Sequence, residues 1–378
     1  MKKALLAVSL IVLLVSCGKS LITIPIILDD NPHPMFGKYA YRDFYVPVTV
    51  SDSLNLKWES EVYGGFKNSS VSVYDGYVFT SDLGGRIYAF DIKDGSKVGM
   101  LKSSGALHSA PLINKTMLIY AVAEEKYNLS ELIYYDYMNG QEVHYEEFYS
   151  RVLSEMIAIE DGIIFLTESG RINKYDFSGN SLWQTETGVV TQCSPSSKNG
   201  IVIFGNDEGE VITVNVEDGK ILNRTKLDGI FSGAPAMDET FAYMSNNNGN
   251  IYAIDFNNGE KIWEFDTGAK ILMSPAVDDK NVVIGNLAGA LYSLNKQNGK
   301  VNWGQKYKGL FNATPLLTNN RIIIPDLFRS YYLIDKETGE LKKILLLENR
   351  AKLTPVFYDS TLIIGFDRGI VRAYEFIY

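Results

Sequence analysis

The amino-acid sequence predicts an all-β protein, an eight-bladed β-propeller of four-stranded antiparallel blades whose ring is closed by a strand from the N-terminal side. Three observations predict this fold: a repeat of about 40 residues, alternation of apolar and polar residues within each repeat, and a last repeat without an outer strand. Four-stranded meanders arranged radially leave only short, protected edges. We therefore expect one propeller domain over residues 54–378, although the length alone would allow two or three domains.

The repeat is marked in three ways, and each mark gives a count of eight. A turn glycine recurs at steps close to 40 from Gly95 to Gly339, and a second glycine precedes it in most repeats, from Gly85 to Gly369. A proline recurs from Pro111 to Pro355, and Val71 and Glu155 hold the two remaining proline positions. Three independent marks in one register favour eight equivalent units.

Each repeat is predicted to form four short strands joined by tight turns. The repeat that starts at Ser274 has four runs with a period of two, which is typical of strands packed on one or both faces. Asp-Gly pairs such as Asp75-Gly76 and Asp218-Gly219 fall between the runs. Hairpin turns of the primed types need positive φ, which glycine adopts without steric cost.

The two ends of the propeller region predict how the ring closes. After Gly369 the chain supplies a third strand and stops at Tyr378, so the last blade lacks its outer strand. The segment Leu54–Ser60 precedes the first inner strand, and its Trp58 has the register of the tryptophans in other outer strands. We expect this segment to pair with the last blade and close the ring.

The N-terminus predicts export and a lipid anchor. An apolar run from Ala4 to Val15 follows a basic start, and its length is typical of a secretory signal and too short to span a membrane. Residues Leu14–Cys17 resemble the lipobox of bacterial lipoproteins, which implies a signal peptide over residues 1–16 and lipidation of Cys17. By the same resemblance, Gly18 implies sorting to the outer membrane. The alternative is an ordinary signal peptide with a chance cysteine.

Residues 17–53 lack the repeat and contain four prolines, so we interpret them as a lipidated N-terminus and tether. The alternative is that the apolar pieces Leu21–Leu28 and Phe44–Val50 pack on the domain. Cys193 is the one other cysteine, so a lipidated Cys17 leaves it no partner for an intrachain disulfide. A net charge of -9 argues against nucleic-acid binding, which needs clustered Lys and Arg.

The segment Ala253–Trp263 resembles the tryptophan-docking repeat of quinoprotein-type propellers, which has a Trp four positions after the turn glycine. Together with the lipobox and the blade count, the chain resembles the BamB family of outer-membrane protein assembly lipoproteins. The resemblance implies a non-catalytic, cofactor-free scaffold at the outer membrane, facing the periplasm. It also implies binding to the POTRA domains of BamA, other assembly-machinery subunits and unfolded outer-membrane protein clients. The family's Leu-x-Leu-Arg and Asp-x-Asp contact elements are missing at the matching places, Thr187–Val190 and Ile230–Ser232.

The sequence offers little material for catalysis, so we predict no catalytic, cofactor-binding or metal-binding residue. His33, His108 and His144 have no metal-site spacing, and no two cysteines are adjacent as in the enzymatic quinoproteins that the repeat resembles. Asn206–Gly209 is predicted to be a hairpin turn and not a calcium loop. Cys193 lies on a predicted inner strand and is expected to be buried and structural.

Topology predicts which face binds a partner. The links between blades leave at the same end as the turn between the second and third strands, and the expanded turn Glu124–Ser130 falls at that end. We expect partner contact at four apolar loop residues, Val189, Val190, Ile230 and Phe231, since exposed apolar clusters mark interfaces. The alternative is that these side chains pack down into the ring.

Two other functions stay open from the sequence. A periplasmic propeller that senses or binds a ligand or carbohydrate is the first, because fold does not determine function. A quinone-dependent dehydrogenase is the more distant one.

Overall fold

The computed structural model describes residues 21–25, 29 and 31–378. In this part of the chain the strands form eight separate antiparallel sheets of four strands, one of which has an additional short strand. The predicted eight-bladed propeller is therefore confirmed. No helix among the described residues is long and apolar enough to cross a membrane. The signal segment 1–16 and Cys17 lie outside the described residues.

The strands follow the ring in chain order. The closing strand and blades 1 and 2 comprise β1 (Leu54–Glu61), β2 (Ser72–Tyr74), β3 (Tyr77–Asp82), β4 (Arg86–Asp91), β5 (Lys97–Lys102), β6 (Ala106–Leu107), β7 (Leu112–Asn114), β8 (Met117–Glu124), β9 (Leu129–Asp136) and β10 (Gln141–Tyr149). Blades 3 to 5 comprise β11 (Ile157–Ile159), β12 (Gly162–Leu166), β13 (Arg171–Tyr175), β14 (Ser181–Glu186), β15 (Ser196–Lys198), β16 (Ile201–Gly205), β17 (Glu210–Asn215), β18 (Ile221–Lys226), β19 (Ala236–Met237), β20 (Phe241–Ser245), β21 (Asn250–Asp255) and β22 (Lys261–Asp266).

Blades 6 to 8 comprise β23 (Ala276–Val277), β24 (Asn281–Gly285), β25 (Ala290–Asn295), β26 (Val301–Lys306), β27 (Leu316–Leu317), β28 (Arg321–Pro325), β29 (Ser330–Asp335), β30 (Leu341–Leu346), β31 (Val356–Tyr358), β32 (Thr361–Phe366) and β33 (Ile370–Phe376). The second and third strands of each blade are buried on both faces, whereas the outer strands alternate or are exposed. The expanded turn of blade 2 contains a short 3-10 helix, Glu125–Tyr127.

Ring closure follows the prediction. Strand β1 pairs antiparallel with β33, with Leu54 opposite Phe376 and Trp58 opposite Ala373. It is the outer strand of blade 8, whose other strands are β31 to β33. Residues more than 300 positions apart in the sequence therefore share one sheet, and the first and last parts of the propeller fold as one unit.

Tryptophans on the outer strands join neighbouring blades. The Trp58 ring lies against Gly95 in the last turn of blade 1, where an added Cβ would approach the ring to 2.7 Å. Its Nε1 donates a 2.8 Å hydrogen bond to the carbonyl of Ile92, three residues ahead of that glycine. Corresponding contacts are made by the other three tryptophans, Trp183, Trp263 and Trp303. Each of these four tryptophans therefore packs between two blades.

The stretch predicted as a tether packs on the domain over its described residues, in agreement with the alternative interpretation of its apolar pieces. An eight-bladed ring leaves a central channel, and the described residues from 29 to 50 run along the inner strands that line this channel. Backbone hydrogen bonds join this channel segment to six blades, at Val73, Ile113, Ser197, Met237, Val277 and Leu317. Arg42 bonds blade 3 and Asp29 bonds Tyr358 of blade 8, so all eight blades are contacted. The buried side chains of Phe36 and Phe44 belong to the hydrophobic core.

Candidate functional site

The links between blades and the turns between second and third strands form one rim, as predicted, and we call this side of the ring the interblade face. The amide of Asp207, in the turn of blade 4, donates to the carbonyl of Val190 in the preceding link at 3.1 Å. The equivalent bond from Asn247 to Ile230 is 2.9 Å long. Each link is therefore held by the turn of the blade that follows it, and its side chains have fixed positions.

The four residues predicted to contact a partner divide into two groups. Val190 and Ile230 are exposed over 48% and 38% of their surfaces, and Val189 is half-buried. Phe231 has an exposed fraction of 0%, which corrects its assignment as a contact residue. Its ring lies over Gly205, where an added Cβ would come within 2.4 Å of the ring atom Cγ, and the ring centroid is 6.1 Å from that of Tyr252. Alternate link residues thus point into the ring and out of it.

Other exposed apolar side chains share the interblade face with Val190 and Ile230. They come from links and from turns between second and third strands, and they are Tyr63, Leu83, Tyr127, Leu272 and Phe328. Sequence reasoning did not single out Tyr63, Leu83 or Phe328. A useful signal was present, because a large apolar residue in a tight surface turn has no core to pack against.

A funnel opens at the centre of the interblade face. Its cavity volume is about 320 Å³, and the ring of the channel-segment residue Phe36 lies among its lining residues. Successive links contribute equivalent residues to the wall, namely Gln192, Ser232, Leu272 and Asn312. The wall is therefore mostly polar, in contrast to the apolar rim around it.

A buried polar cluster lies at the bottom of the funnel. Glu155 occupies a position that is proline in six blades, and its carboxylate accepts hydrogen bonds from the hydroxyl of Ser69 and, at 2.8 Å, from the amide of Ala110. Burial raises the pKa of Glu155. That rise is opposed by the hydrogen bond from Ser69, the charge of Arg42, the hydrogen bond from Ala110 and the charge of Lys67. The cluster joins blades 1, 2 and 3.

Arg42 connects the channel segment to this cluster. Its guanidinium is fully buried and donates to the carbonyl of Met156 at 3.0 Å, and it lies 5.4 Å from the centre of the Phe36 ring. Burial lowers the pKa of Arg42 to about 10. Sequence reasoning did not identify Arg42, and the signal that could have found it was the charged Glu155 at a proline position, since a buried carboxylate needs a countercharge.

The other titratable residues singled out from the sequence lie apart from one another: His108 and His144 are half-buried, and Cys193 is buried. Burial, with the nearby Lys67 and Arg151 charges, lowers the pKa of His108 in the funnel wall to about 4. The ring of His144 packs against Tyr134. Burial raises the pKa of the Cys193 thiol to about 12, and this residue lies just ahead of strand β15 and not on it.

The stretch that could have suggested a calcium loop is a turn in the described structure. Asn206 Oδ1 accepts bonds from the amides of Glu208 and Glu210, so the predicted hairpin turn is confirmed. Among the described residues, no three His, Cys, Asp or Glu are placed to hold a metal ion. The sequence has no neighbouring cysteine pair.

His33 of the channel segment is expected to make stability depend on pH. It is buried, and desolvation together with the Lys38 charge lowers its pKa to about 3. Between pH 3 and 6.5 the unfolded chain binds this proton and the folded chain does not, so acidification destabilises the fold. At pH 5 the neutral state of His33 in the folded chain lowers the free energy of unfolding by about 2 kcal/mol.

The check is urea unfolding of the wild-type protein and a His33→Gln variant at pH 7 and pH 5. Between these pH values the wild type should lose about 2 kcal/mol more of its free energy of unfolding than the variant. Equal losses in both proteins would show that the histidine is protonated in the folded state.

Comparison with known families gives one match that runs along the propeller. The profile described as "Outer membrane protein assembly factor BamB" matches residues 50–188, 168–274 and 247–376. No curated protein sequence matches the chain.

Comparison with solved structures identifies the same fold at low sequence identity. BamB from Moraxella catarrhalis is 15% identical, with a TM-score of 0.72 over 86% of this chain and 100% of that one. The computationally designed protein Ika8 is also 15% identical, with a TM-score of 0.73 over 85% and 99%. Quinohemoprotein alcohol dehydrogenase from Comamonas testosteroni is 11% identical, with a TM-score of 0.77 over 91% and 80%. These likenesses establish the propeller fold, and the family match covers more than half of the sequence. The chain therefore belongs to the family of the outer membrane protein assembly factor BamB.

Proposed function

We propose that this protein is a non-catalytic scaffold of the machinery that inserts β-barrel proteins into the outer membrane. Cys17 carries the lipid anchor, and the domain faces the periplasm. The interblade face binds the POTRA domains of BamA and so holds other subunits and unfolded outer-membrane protein clients near the insertion site. The family match over the whole ring is the observation that carries this proposal.

The chemistry of the interblade face supports protein binding. Exposed apolar side chains stand on loops that backbone hydrogen bonds hold in place, so they are ordered before a partner arrives. Preorganised apolar groups lose little conformational entropy on binding. Because the Leu-x-Leu-Arg and Asp-x-Asp elements are missing, the proposal assigns partner contact to the exposed apolar residues Val190 and Ile230.

A ligand-binding or carbohydrate-sensing role is the second candidate, favoured by two cavities. The funnel is one, and the other is a cavity of about 410 Å³ lined in part by Tyr41, Asp43 and Tyr45 and by the turns of blades 5 and 6. Burial raises the pKa of Asp43 to about 6. Aromatic rings with a few polar groups are typical of small-molecule sites. Binding of a mono- or oligosaccharide that survives removal of the rim residues would favour this role.

Substitution at the rim tests the scaffold role. A Val190→Glu/Ile230→Glu double variant should bind the BamA POTRA domains at least about tenfold more weakly, because two charges replace apolar contacts at the centre of an interface. Titration calorimetry or biolayer interferometry with the purified POTRA domains measures the affinity.

The matched control is Leu222→Glu, since Leu222 is similarly exposed but lies on outer strand β18, away from the rim. It should bind like the wild type. If the Val190→Glu/Ile230→Glu variant has the melting temperature and the POTRA affinity of the wild type, the interblade face is not the binding surface.

A further inference from the structure

The groove between blades 1 and 2 lacks the tryptophan that joins other blades. In four outer strands a tryptophan lies against the turn glycine of the neighbouring blade. Outer strand β5 has Gly99 at the same register, four positions after Gly95, as Trp263 follows Gly259. Gly99 has no side chain to reach Gly140 of blade 2, so the strand by itself leaves this groove unfilled.

Residues Leu21–Pro25 occupy that groove, and we call them the N-terminal clip. Ile22 is fully buried, and its backbone lies so close to β5 that a Cβ on Gly99 would come within 2.7 Å of the Ile22 Cα. A Cβ on Gly140 would come within 2.7 Å of the Thr23 hydroxyl. The clip therefore covers the turn glycine of blade 2 as a tryptophan does in other blades.

The clip also reproduces the tryptophan hydrogen bond. The Ile24 amide donates at 2.9 Å to the carbonyl of Tyr137, which lies three residues ahead of Gly140. The tryptophan Nε1 groups bond the equivalent carbonyls, for example Trp58 with Ile92. The Tyr135 hydroxyl donates a second hydrogen bond, 2.9 Å long, to the carbonyl of Ile22 in the clip.

We propose that the N-terminal clip fixes the orientation of the propeller on the membrane, with the outer edge of blades 1 and 2 towards the lipid surface. This inference rests on lipidation of Cys17 in the proposed function. Leu21 lies four positions after Cys17, and an extended chain of four residues spans at most about 14 Å. A free tether from Cys17 to residue 53 would reach about 120 Å. The clip thus replaces a long tether by a short one at a defined edge.

This orientation places opposite edges of the ring at different distances from the membrane. Blades 5 and 6 lie opposite blades 1 and 2 in an eight-bladed ring, so their outer strands are farthest from the anchor. The channel axis lies along the membrane in this orientation, and the interblade face is presented sideways. A partner that projects from the membrane into the periplasm could then contact the rim without lifting the domain.

Energy transfer to the bilayer tests the orientation with the full-length lipidated protein. A donor fluorophore is attached at Val143→Cys on β10 or at Val301→Cys on β26, positions with exposed fractions of 46% and 47%. Cys193 is buried, so the label is directed to the introduced cysteine. The protein is bound to vesicles of phosphatidylethanolamine and phosphatidylglycerol that carry a trace of acceptor-labelled lipid. Energy transfer from position 143 should exceed that from position 301 at least about twofold. The reason is that the chain between the lipidated Cys17 and the clip can extend at most about 14 Å, which keeps blade 2 near the bilayer.

Two variants assign the effect to the clip. Ile22→Asp places a charge in the buried groove and should make transfer from the two positions equal, whereas Leu21→Ser, at an exposed position, should preserve the difference. Equal transfer in the wild type would overturn the orientation, and a difference that persists in Ile22→Asp would overturn the role of the clip.

The outcomes also separate this inference from the proposed function. If mass spectrometry finds no acyl chains on Cys17, both the anchor and the orientation fail. If the lipid is present and transfer is equal, the orientation alone fails. In a Cys17→Ser protein produced without residues 1–16, exchange of the Ile24 amide should be at least about tenfold faster after Ile22→Asp, and unchanged exchange would show that the clip does not hold this edge.

Discussion

Replacing Leu54–Glu61 with eight glycine and serine residues is expected to lower the melting temperature of the whole domain by on the order of 10 °C or more. The change removes the outer strand of blade 8 and leaves the long edge of β33 unpaired. It also removes the buried Trp58, and loss of a buried tryptophan side chain alone costs about 3–5 kcal/mol. Calorimetry should show one earlier transition and not the separate loss of one blade.

The matched control is the same replacement in β30, the outer strand of blade 7. The side chains of Leu341–Leu346 are exposed or half-buried, and the ring stays closed by β1 without them. We expect a clearly smaller decrease in the melting temperature. Equal decreases in the two proteins would mean that β1 is an ordinary outer strand and that closure adds nothing to stability.

The ring is predictable from the sequence because its requirements are local. A turn glycine such as Gly95 must adopt positive φ and must leave room for a tryptophan ring, so both residues recur at fixed spacing. The same regularity is sufficient to assign Trp58 to the outer strand of the last blade, where it pairs with Ala373. Periodicity therefore predicts the blade count, the closing strand and the interblade face.

The channel segment could not be predicted in this way. Its contacts join single residues to blades that lie up to several hundred positions away, so no short-range pattern records them. Composition suggested a tether because prolines and polar residues resemble a linker, whereas Ile22 and Phe44 are buried. The sequence also could not predict that Ile230 is exposed and Phe231 is buried, because adjacent residues of an irregular link have no fixed period.

The channel segment and the clip suggest why this ring needs so few tryptophans. The segment bonds all eight blades from the inside, and the clip covers the one outer groove that has glycine in place of a side chain. At the groove between blades 1 and 2, the contact that a tryptophan would supply is thus supplied by the chain ahead of β1. Stability should therefore be sensitive to single residues in that chain.

Arg42 is the residue at which this sensitivity should be greatest after the closing strand. Arg42→Met removes the bond to the Met156 carbonyl and takes away the larger of the two positive charges, Arg42 and Lys67, that lower the pKa of the buried Glu155 carboxyl. Loss of a buried hydrogen bond from a charged donor costs about 1.5–3 kcal/mol, and the weaker stabilisation of Glu155 adds to that loss. Urea unfolding at pH 8 should show a loss of that order in the free energy of unfolding.

The pH dependence of this variant has a definite sign. Without Arg42 the pKa of the folded Glu155 rises further above its unfolded value. A carboxyl group with a raised folded pKa is stabilising only while protonated, so the variant should lose stability, relative to the wild type, as pH rises through that pKa. A flat difference between wild type and variant from pH 5 to pH 8 would show that the two groups do not interact.

A double-mutant cycle with Glu155→Gln measures the interaction directly. Adding Glu155→Gln to Arg42→Met removes the carboxylate that Arg42 no longer stabilises, so the double variant should be more stable than the sum of the single losses predicts, by about 1–3 kcal/mol. The control cycle uses Arg171→Met and Glu186→Gln, a surface pair at 2.9 Å in which Glu186 is largely exposed, and its coupling should stay below about 1 kcal/mol. Additive losses at Arg42 and Glu155 would mean that Arg42 stabilises the ring only through its hydrogen bonds to carbonyl groups. The Glu155 carboxylate would then have no part in holding the channel segment.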